Sequence, residues 1–370
     1  MAQNTSPGSE ERGMGKTPRD DFSRGDFQRT VRRDYNELKE LFLDEHRKER
    51  LGEMGRVKRW LYTSGWLLKS LFFRLTPARR MLFVVSLVLL LFSHSVSVDQ
   101  EGNGVSIKSD DMAAAIMIFI LMLELKDKLL AQSELEAGRV IQSALQPESS
   151  PSLEGWSCWL YTKAANEVGG DLVDYERLDP HRYHFSLADV AGKGVRAALV
   201  TTRLQATIRA FAPDCASLAE LASKINAIIH RDTTRNMFAS LVMFQLAPES
   251  GEVRLINAGH LPPLAVRKSL VEAMEKGSPA IGIFPETPFA EQRALLGRGD
   301  MLIVYSDGIP DAKNDRGEFY GLPRLLRLLE HCGEIGAEEL GKRITASVTS
   351  FIGEARMYDD ISLVIVRREA

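Results

Sequence analysis

This sequence is poor in cysteine. Its 370 residues hold only Cys158, Cys215 and Cys332, an odd number set far apart. They allow no disulfide frame and no CxxC zinc pattern. That places the bulk of the chain in a reducing compartment and makes each thiol a small buried hydrophobe. An excess of one charge is missing too: 47 Lys and Arg stand against 50 Asp and Glu, a net charge of −3. Nothing in that balance calls for nucleic acid. No apolar run stands near the start, so no signal peptide is expected. What remains is globular, 44% hydrophobic and 26% charged, enough to bury a sizeable core.

Charge is unevenly spread. Residues 1–33 are polar, without apolar periodicity, and read as a disordered tail. Residues 34–50 have a helical pattern but are heavily charged. Between Arg50 and Arg80 eight Lys or Arg face one acid, Glu53, with Trp60, Trp66, Phe72 and Phe73 among them. That composition suits a helix lying at a membrane interface, so 34–80 is expected to pair a charged helix with a basic-aromatic interfacial segment.

Two apolar runs follow, Met81–Val98 with 18 residues and Met112–Leu123 with 12, joined by a polar loop whose one basic residue is Lys108. Together, 81–123 predict a transmembrane hairpin. Arg74, Arg79, Arg80, Lys126 and Lys128 lie outside it, which puts both chain ends in the cytoplasm. The rest of the chain, from residue 124 on, is thereby expected on the cytoplasmic face of the inner membrane. Residues 124–147 form a helical linker with an apolar stripe at Ala137, Val140, Ile141, Ala144 and Leu145, ended by Pro147. The stripe makes this helix a candidate for signal relay or homodimer contact; the plainer reading is a spacer.

From residue 148 the pattern changes to short apolar strands, among them "RYHFSLADV", "MLIVYSD" and "DISLVIVRR". "MFASLVMFQLAPESGEVRLINA" reads as two antiparallel strands around a Pro-Glu-Ser-Gly turn. Helical patterns cover Val195–Phe211, Ser217–Arg231, Leu322–His331 and Ala337–Phe351. The mixture predicts an α/β or α+β fold with antiparallel strands, not a regular βαβ repeat.

Four aspartates share a setting. Asp171 follows Gly169-Gly170, Asp189 ends "HFSLADV", Asp307 ends "MLIVYSD", and Asp359, beside Asp360, starts "DISLVIV". Singly, each is a turn residue. Jointly, four carboxylates at strand ends repel unless a cation holds them, and all-oxygen ligands select Mg²⁺ or Mn²⁺ over zinc. Two such ions can bind phosphate oxygens and activate water.

The blocks "NEVGGDLVDY", "LADVAGKGVRAALV", "NAGHLPPL", "GDMLIVYSDGIPDA" and "YDDISLVIV" occur in the order found in SpoIIE-like (RsbU-like) phosphatases of the PPM, or type-2C, superfamily. The chain resembles that family from about Leu135 to Arg368. The resemblance selects α+β: it implies a β-sandwich of two antiparallel sheets flanked by helices, with two Mn²⁺ or Mg²⁺ ions at one end and room for a third. It implies that Asp189 bridges the metals and that the Val190 carbonyl serves one of them. Asp307 and Asp359 would hold the second metal and Asp171 the first, with Asp360 at a weaker ion; Asp174 is a less certain candidate. The glycines before Asp171 would then let the backbone approach a metal-bound phosphate. Eukaryotic-type members carry a histidine where this chain has Ala191, so the proton donor must be water or another group. His260 is read as a structural histidine and Lys193 as a solvated loop lysine.

The function implied is a metal-dependent phosphoserine/phosphothreonine protein phosphatase in bacterial signalling that uses metal-activated water. A phosphorylated anti-anti-sigma-type regulator is a candidate substrate. The alternative is a non-catalytic, membrane-anchored sensor using the same fold. A metal-dependent nucleotide cyclase also uses paired aspartates, but the order of the blocks does not fit it.

Overall fold

The computed structural model of the protein describes residues 55–92, 95–98, 105–233, 237–268, 270–332 and 334–369. The expected tail at 1–33 and the charged helix at 34–50 lie outside them. The chain divides into two units, Met1–Lys128 and Leu129–Ala370.

In the first unit, helix α1 (Arg56–Arg74) is followed by α2 (Pro77–Leu91). Pro77 holds the preceding Thr76 extended and starts the new helix. The Arg80 side chain turns back to the carbonyls of Leu75 and Phe73 at 2.8 Å each, and Arg79 pairs with Glu124 and Asp127 at 2.6 Å. Two of the basic residues assigned to a membrane face are therefore engaged inside the unit.

The expected transmembrane hairpin is corrected here. The run Met81–Val98 is not one helix: α2 stops at Leu91, and β1 (Ser95–Val98) pairs antiparallel with β2 (Val105–Lys108). Alternation of Ser and Val with period two suits a strand, not a helix. The 15 residues of α2 reach about 22 Å, short of a bilayer core near 30 Å. Among the described residues no helix is long and apolar enough to cross a membrane. The second run and the linker are one helix, α3 (Ser109–Ala144). Of its apolar stripe, Val140 and Ile141 are exposed.

The second unit is the α+β sandwich that the family resemblance implied, with the antiparallel strands read from the pattern. One sheet has the order β10-β7-β6-β5-β4, the other β3-β12-β11-β8-β9, and neighbouring strands are antiparallel throughout. Their ranges are β3 (Trp156–Lys163), β4 (Asp171–Asp179), β5 (Arg182–Val190), β6 (Ala239–Ala247), β7 (Glu252–Ala258), β8 (Leu264–Arg267), β9 (Leu270–Ala273), β10 (Gln292–Leu295), β11 (Met301–Tyr305) and β12 (Ile361–Arg368). The expected hairpin is β6–β7.

Alternation sorts each central strand between two cores. Leu302 and Val304 of β11 join Phe185, Leu187, Val242, Phe244, Val364 and Val366 between the sheets. Met301, Ile303 and Tyr305 face outward, onto α6 (Leu322–Glu330) and α7 (Ala337–Ile352). On the other sheet Leu172, Ala188 and Val190 pack under α4 (Val195–Phe211) and α5 (Leu218–Asp232). Central strands covered on both sides have no solvent face, so they read as continuous apolar runs. The four helices match the sequence expectation to within a residue or so at each end, because each is amphipathic and has only one sheet to cover.

Candidate active site

The sandwich brings the marked aspartates to one end. Asp171 opens β4 directly opposite Asp189 near the end of β5. Asp307 follows β11, and Asp359 and Asp360 precede the antiparallel β12. Ser306 ties these last two together. Its N–H donates to the Ser362 carbonyl at 3.0 Å and its hydroxyl to the Asp360 carbonyl at 3.1 Å, while the Ser362 N–H donates to the hydroxyl at 2.9 Å.

Asp360 joins the two sheets. One carboxylate oxygen accepts the N–H groups of Gly170 at 2.6 Å and Asp171 at 3.2 Å; the other accepts that of Ala165 at 2.7 Å. This accounts for the paired glycines. Neither has a left-handed φ. A Cβ on Gly169 would stand 2.8 Å from the Asp360 carboxylate, and one on Gly170 would stand 3.4 Å from the Val190 carbonyl oxygen. The loop needs glycine so that it can close onto its own site, where the sequence had suggested the approach of a phosphate. Gly308 is constrained likewise: a Cβ there would overlap the Asp360 carbonyl.

Two further residues hold this loop, and sequence reading missed both. Gln142, near the end of α3, pairs with the Gly169 peptide, donating to its carbonyl at 2.9 Å and accepting its N–H at 3.0 Å. The Thr201 hydroxyl donates to the Gly170 carbonyl at 2.5 Å. Gln142 lies off the apolar stripe of its helix, so the periodicity did not mark it, and nothing marked Thr201.

The electrostatics are those of an uncompensated cluster. Burial first, then the Asp189 and Asp360 charges, hold the Asp171 carboxyl well above the usual range, with the Ser362 and Ser306 hydroxyls opposing in part. Asp189 is pushed up to about 6 by burial and then by Asp307, Asp359 and Asp360. Asp307 is raised by burial and then by Asp359 and Asp311. The Lys193 ammonium donates to the Tyr358 carbonyl at 2.6 Å and lies 3.4 Å from Asp359, so it is more than a solvated loop residue. One half-exposed lysine does not balance this set.

Asp174 belongs elsewhere. It is buried and holds Arg209 through both oxygens, at 2.6 and 2.8 Å. His260 is half-buried, its Nδ1 sharing a 2.7 Å hydrogen bond with Ser240, and desolvation of the ring lowers it to about 4. A neutral, enclosed imidazole fits the structural reading.

Cation chemistry fits the donors. They are all carboxylate or carbonyl oxygen, and the buried Oδ2 of Asp171 has no hydrogen-bond partner. Among the described residues, however, no three His, Cys, Asp or Glu side chains already surround one point at ligating distance. The aspartates meet at electrostatic range, and an ion would have to draw them together.

Two five-stranded antiparallel sheets between helix pairs, with aspartates gathered at one end, define the PP2C class of fold. The SiaA-PP2C domain of Pseudomonas aeruginosa superimposes with a TM-score of 0.59 at 20% identity, covering 65% of this chain and 98% of that one. The PP2C phosphatase domain of SpoIIE from Bacillus subtilis gives 0.52 at 20% identity, covering 60% and 64%. The chain belongs to the Stage II sporulation protein E (SpoIIE) family, whose profile matches residues 179–369. It is 27% identical over 265 residues to Protein IcfG of Synechocystis, covering 64% of this chain and 41% of that protein. It is 22% identical over 240 residues to the phosphoserine phosphatase RsbU of Bacillus subtilis, covering 64% and 71%. The match thus spans less than half of IcfG and about seven-tenths of RsbU.

Proposed function

We propose that this chain is a metal-dependent phosphoserine/phosphothreonine protein phosphatase in bacterial signalling. The observation that carries the reading is the buried Asp171 carboxylate, opposite Asp189 and unpartnered at Oδ2, in a cluster that lacks a balancing cation. In this reading Asp171, Asp189, the Val190 carbonyl, Asp307 and Asp359 hold two Mn²⁺ or Mg²⁺ ions. Asp360 chiefly forms the loop and has limited capacity left for a further ion. Bound ions supply Lewis acidity and an activated water. The chain's own part is to fix Asp171 through Gln142, Asp360 and Thr201, and to keep Asp189 poised against its neighbours. The name of RsbU supports phosphoserine as the substrate group. An anti-anti-sigma-type protein is the substrate class we favour.

For the first unit we propose a seat on an anionic membrane surface, with the phosphatase domain on the cytoplasmic side. Val84, Val85, Leu87, Val88, Leu90 and Leu91 are exposed around most of α2, with Ser86 buried on the remaining side, and so broad an apolar face asks for apolar surroundings. Exposed Lys58, Lys69 and Arg74 complement anionic headgroups. Exposed Val140 and Ile141 on α3 are the proposed contact of a homodimer.

The test is hydrolysis of p-nitrophenyl phosphate by the full chain with Mn²⁺, in EDTA, and after metal is restored. Turnover that needs Mn²⁺ or Mg²⁺ supports the reading. Full turnover after exhaustive chelation, or none with either metal, sinks it and leaves the partner-binding alternative.

A further inference from the structure

Large apolar side chains stand at the rim of the aspartate site, held out in solvent by the fold. Phe238 leads into β6, and its carbonyl accepts the Ala191 N–H at 2.8 Å, so it borders the loop that follows Asp189. Beside it runs the segment Gly282–Pro285. Gly282 has φ +91°, and a Cβ there would lie 3.5 Å from the Met237 carbonyl and 3.0 Å from Ile229.

This segment is pinned in place. Buried Asn226 donates to the Phe284 and Pro285 carbonyls at 2.9 and 3.2 Å and accepts the Gly282 N–H at 2.8 Å. His230 shares a 2.8 Å hydrogen bond with the Gly282 carbonyl. Even so, Phe238, Ile283 and Phe284 are 39%, 42% and 53% exposed. Val195 and Leu199 are also exposed, one turn apart on the helix that begins where the Asp189 loop ends.

A side chain exposed by slack needs no explanation, but a buried asparagine holding an apolar segment outward does. Fixed apolar surface costs solvation unless something covers it, and rigid apolar anchors are what protein contacts use. Its place beside the site selects the occupant. A small phosphomonoester has nothing to lay on it, whereas a protein presenting a phosphoserine must bring neighbouring surface to this rim. Exposed Lys193 and Arg196, on the same loop and helix start, suit the approach of the phosphate.

We propose that Phe238, Ile283 and Phe284 form a substrate-docking surface, selecting phosphoproteins with an apolar patch next to the phosphoserine. This rests on the phosphatase reading. The test uses the full chain with Mn²⁺ and three probes: p-nitrophenyl phosphate and two synthetic phosphoserine peptides that differ only in carrying Leu or Gln at the flanking positions.

The expected result is a kcat/KM at least about tenfold higher for the Leu-flanked peptide, chiefly through KM. In the double variant Ile283→Ser, Phe284→Ser the preference should vanish while p-nitrophenyl phosphate turnover and the thermal midpoint stay near wild type. Equal rates on both peptides, or a preference that survives in the folded variant, overturn the docking surface. Absence of p-nitrophenyl phosphate turnover in the wild type marks failure of the phosphatase reading itself, and the docking surface falls with it.

Discussion

Two buried acidic regions share one strand and differ in one respect. Asp171 and Asp174 both lie in β4, both with less than a tenth of their surface exposed. Around Asp174 the fold supplies the counter-charge, since Arg209 grips both oxygens. Around Asp171 it supplies more negative charge, from Asp189 and Asp360, and leaves Oδ2 unpartnered. A protein can satisfy a buried carboxylate when it has reason to, and three residues away this one does so. That no basic side chain pairs with Asp171 is therefore a property of the site, a charge arrangement that an ion from solution would complete.

The largest effect that can break this comparison is on turnover. Asp307→Asn keeps the volume and the hydrogen bonds of the turn after β11 but removes a ligand charge. Turnover in Mn²⁺ is expected to fall at least about a hundredfold while the domain stays folded, since losing metal-based stabilisation costs several kcal/mol. Near-normal activity would return Asp307 to an ordinary turn.

Next in size is a pH effect in the compensated region. His184 stands opposite Glu176 in the strand register, with Gln245 on its other side and the Asp174 charge acting on it. Both ring nitrogens lack partners, and burial holds it down at about 4. The unfolded chain, titrating near 6.5, binds more protons than the folded one between those values. Stability from this group is thus complete above about pH 6.5 and lost as pH falls toward 4, by up to about 3 kcal/mol. Asp189, raised to about 6, acts in the opposite sense, because its folded form holds the extra proton. The difference between wild type and His184→Leu cancels that term. Thermal midpoints from pH 4 to 7 should fall less steeply on the acid side in the variant; parallel curves would contradict the buried neutral histidine.

Asp174→Asn should cost about 1–2 kcal/mol of stability, discounted because the Arg209 side chain is 40% exposed and can turn to water. In EDTA, Asp171→Asn should do the reverse and leave stability equal or higher, since it relieves repulsion. Denaturant unfolding of both variants sharpens the contrast, and loss of stability in both would erase it. The smallest effect is expected from Gln142→Ala, about 1 kcal/mol or less in stability for the lost pair with Gly169. Its signature would be a higher Mn²⁺ concentration for half-maximal activity; an unchanged metal dependence would make Gln142 a mere docking contact.

The same contrast marks how far the sequence could be read. Strands such as "MLIVY" and helices such as Val195–Phe211 were legible because burial and periodicity are written locally. Asp171, Asp189, Asp307 and Asp359 stood out because strand ends can be read from apolar runs. The work of Asp360 could not be, since its partners Ala165 and Gly170 lie 195 and 190 residues away. Gln142 was hidden likewise, because it faces the fold while the apolar stripe beside it faces solvent. In the first unit, length and hydropathy suggested spanning helices, but period-two residues at Ser95–Val98 turned the end of one run into a strand.

The central claim is that the aspartate cluster is completed by a divalent cation. Its most direct measurement is the thermal midpoint of the full chain in EDTA and across a Mn²⁺ titration, beside Asp189→Asn. An ion that binds only the folded state must raise the midpoint as its concentration rises. The account requires a rise in the wild type that EDTA reverses and that Asp189→Asn lacks. Superimposable wild-type curves with and without Mn²⁺, or an equal rise in the variant, would contradict it.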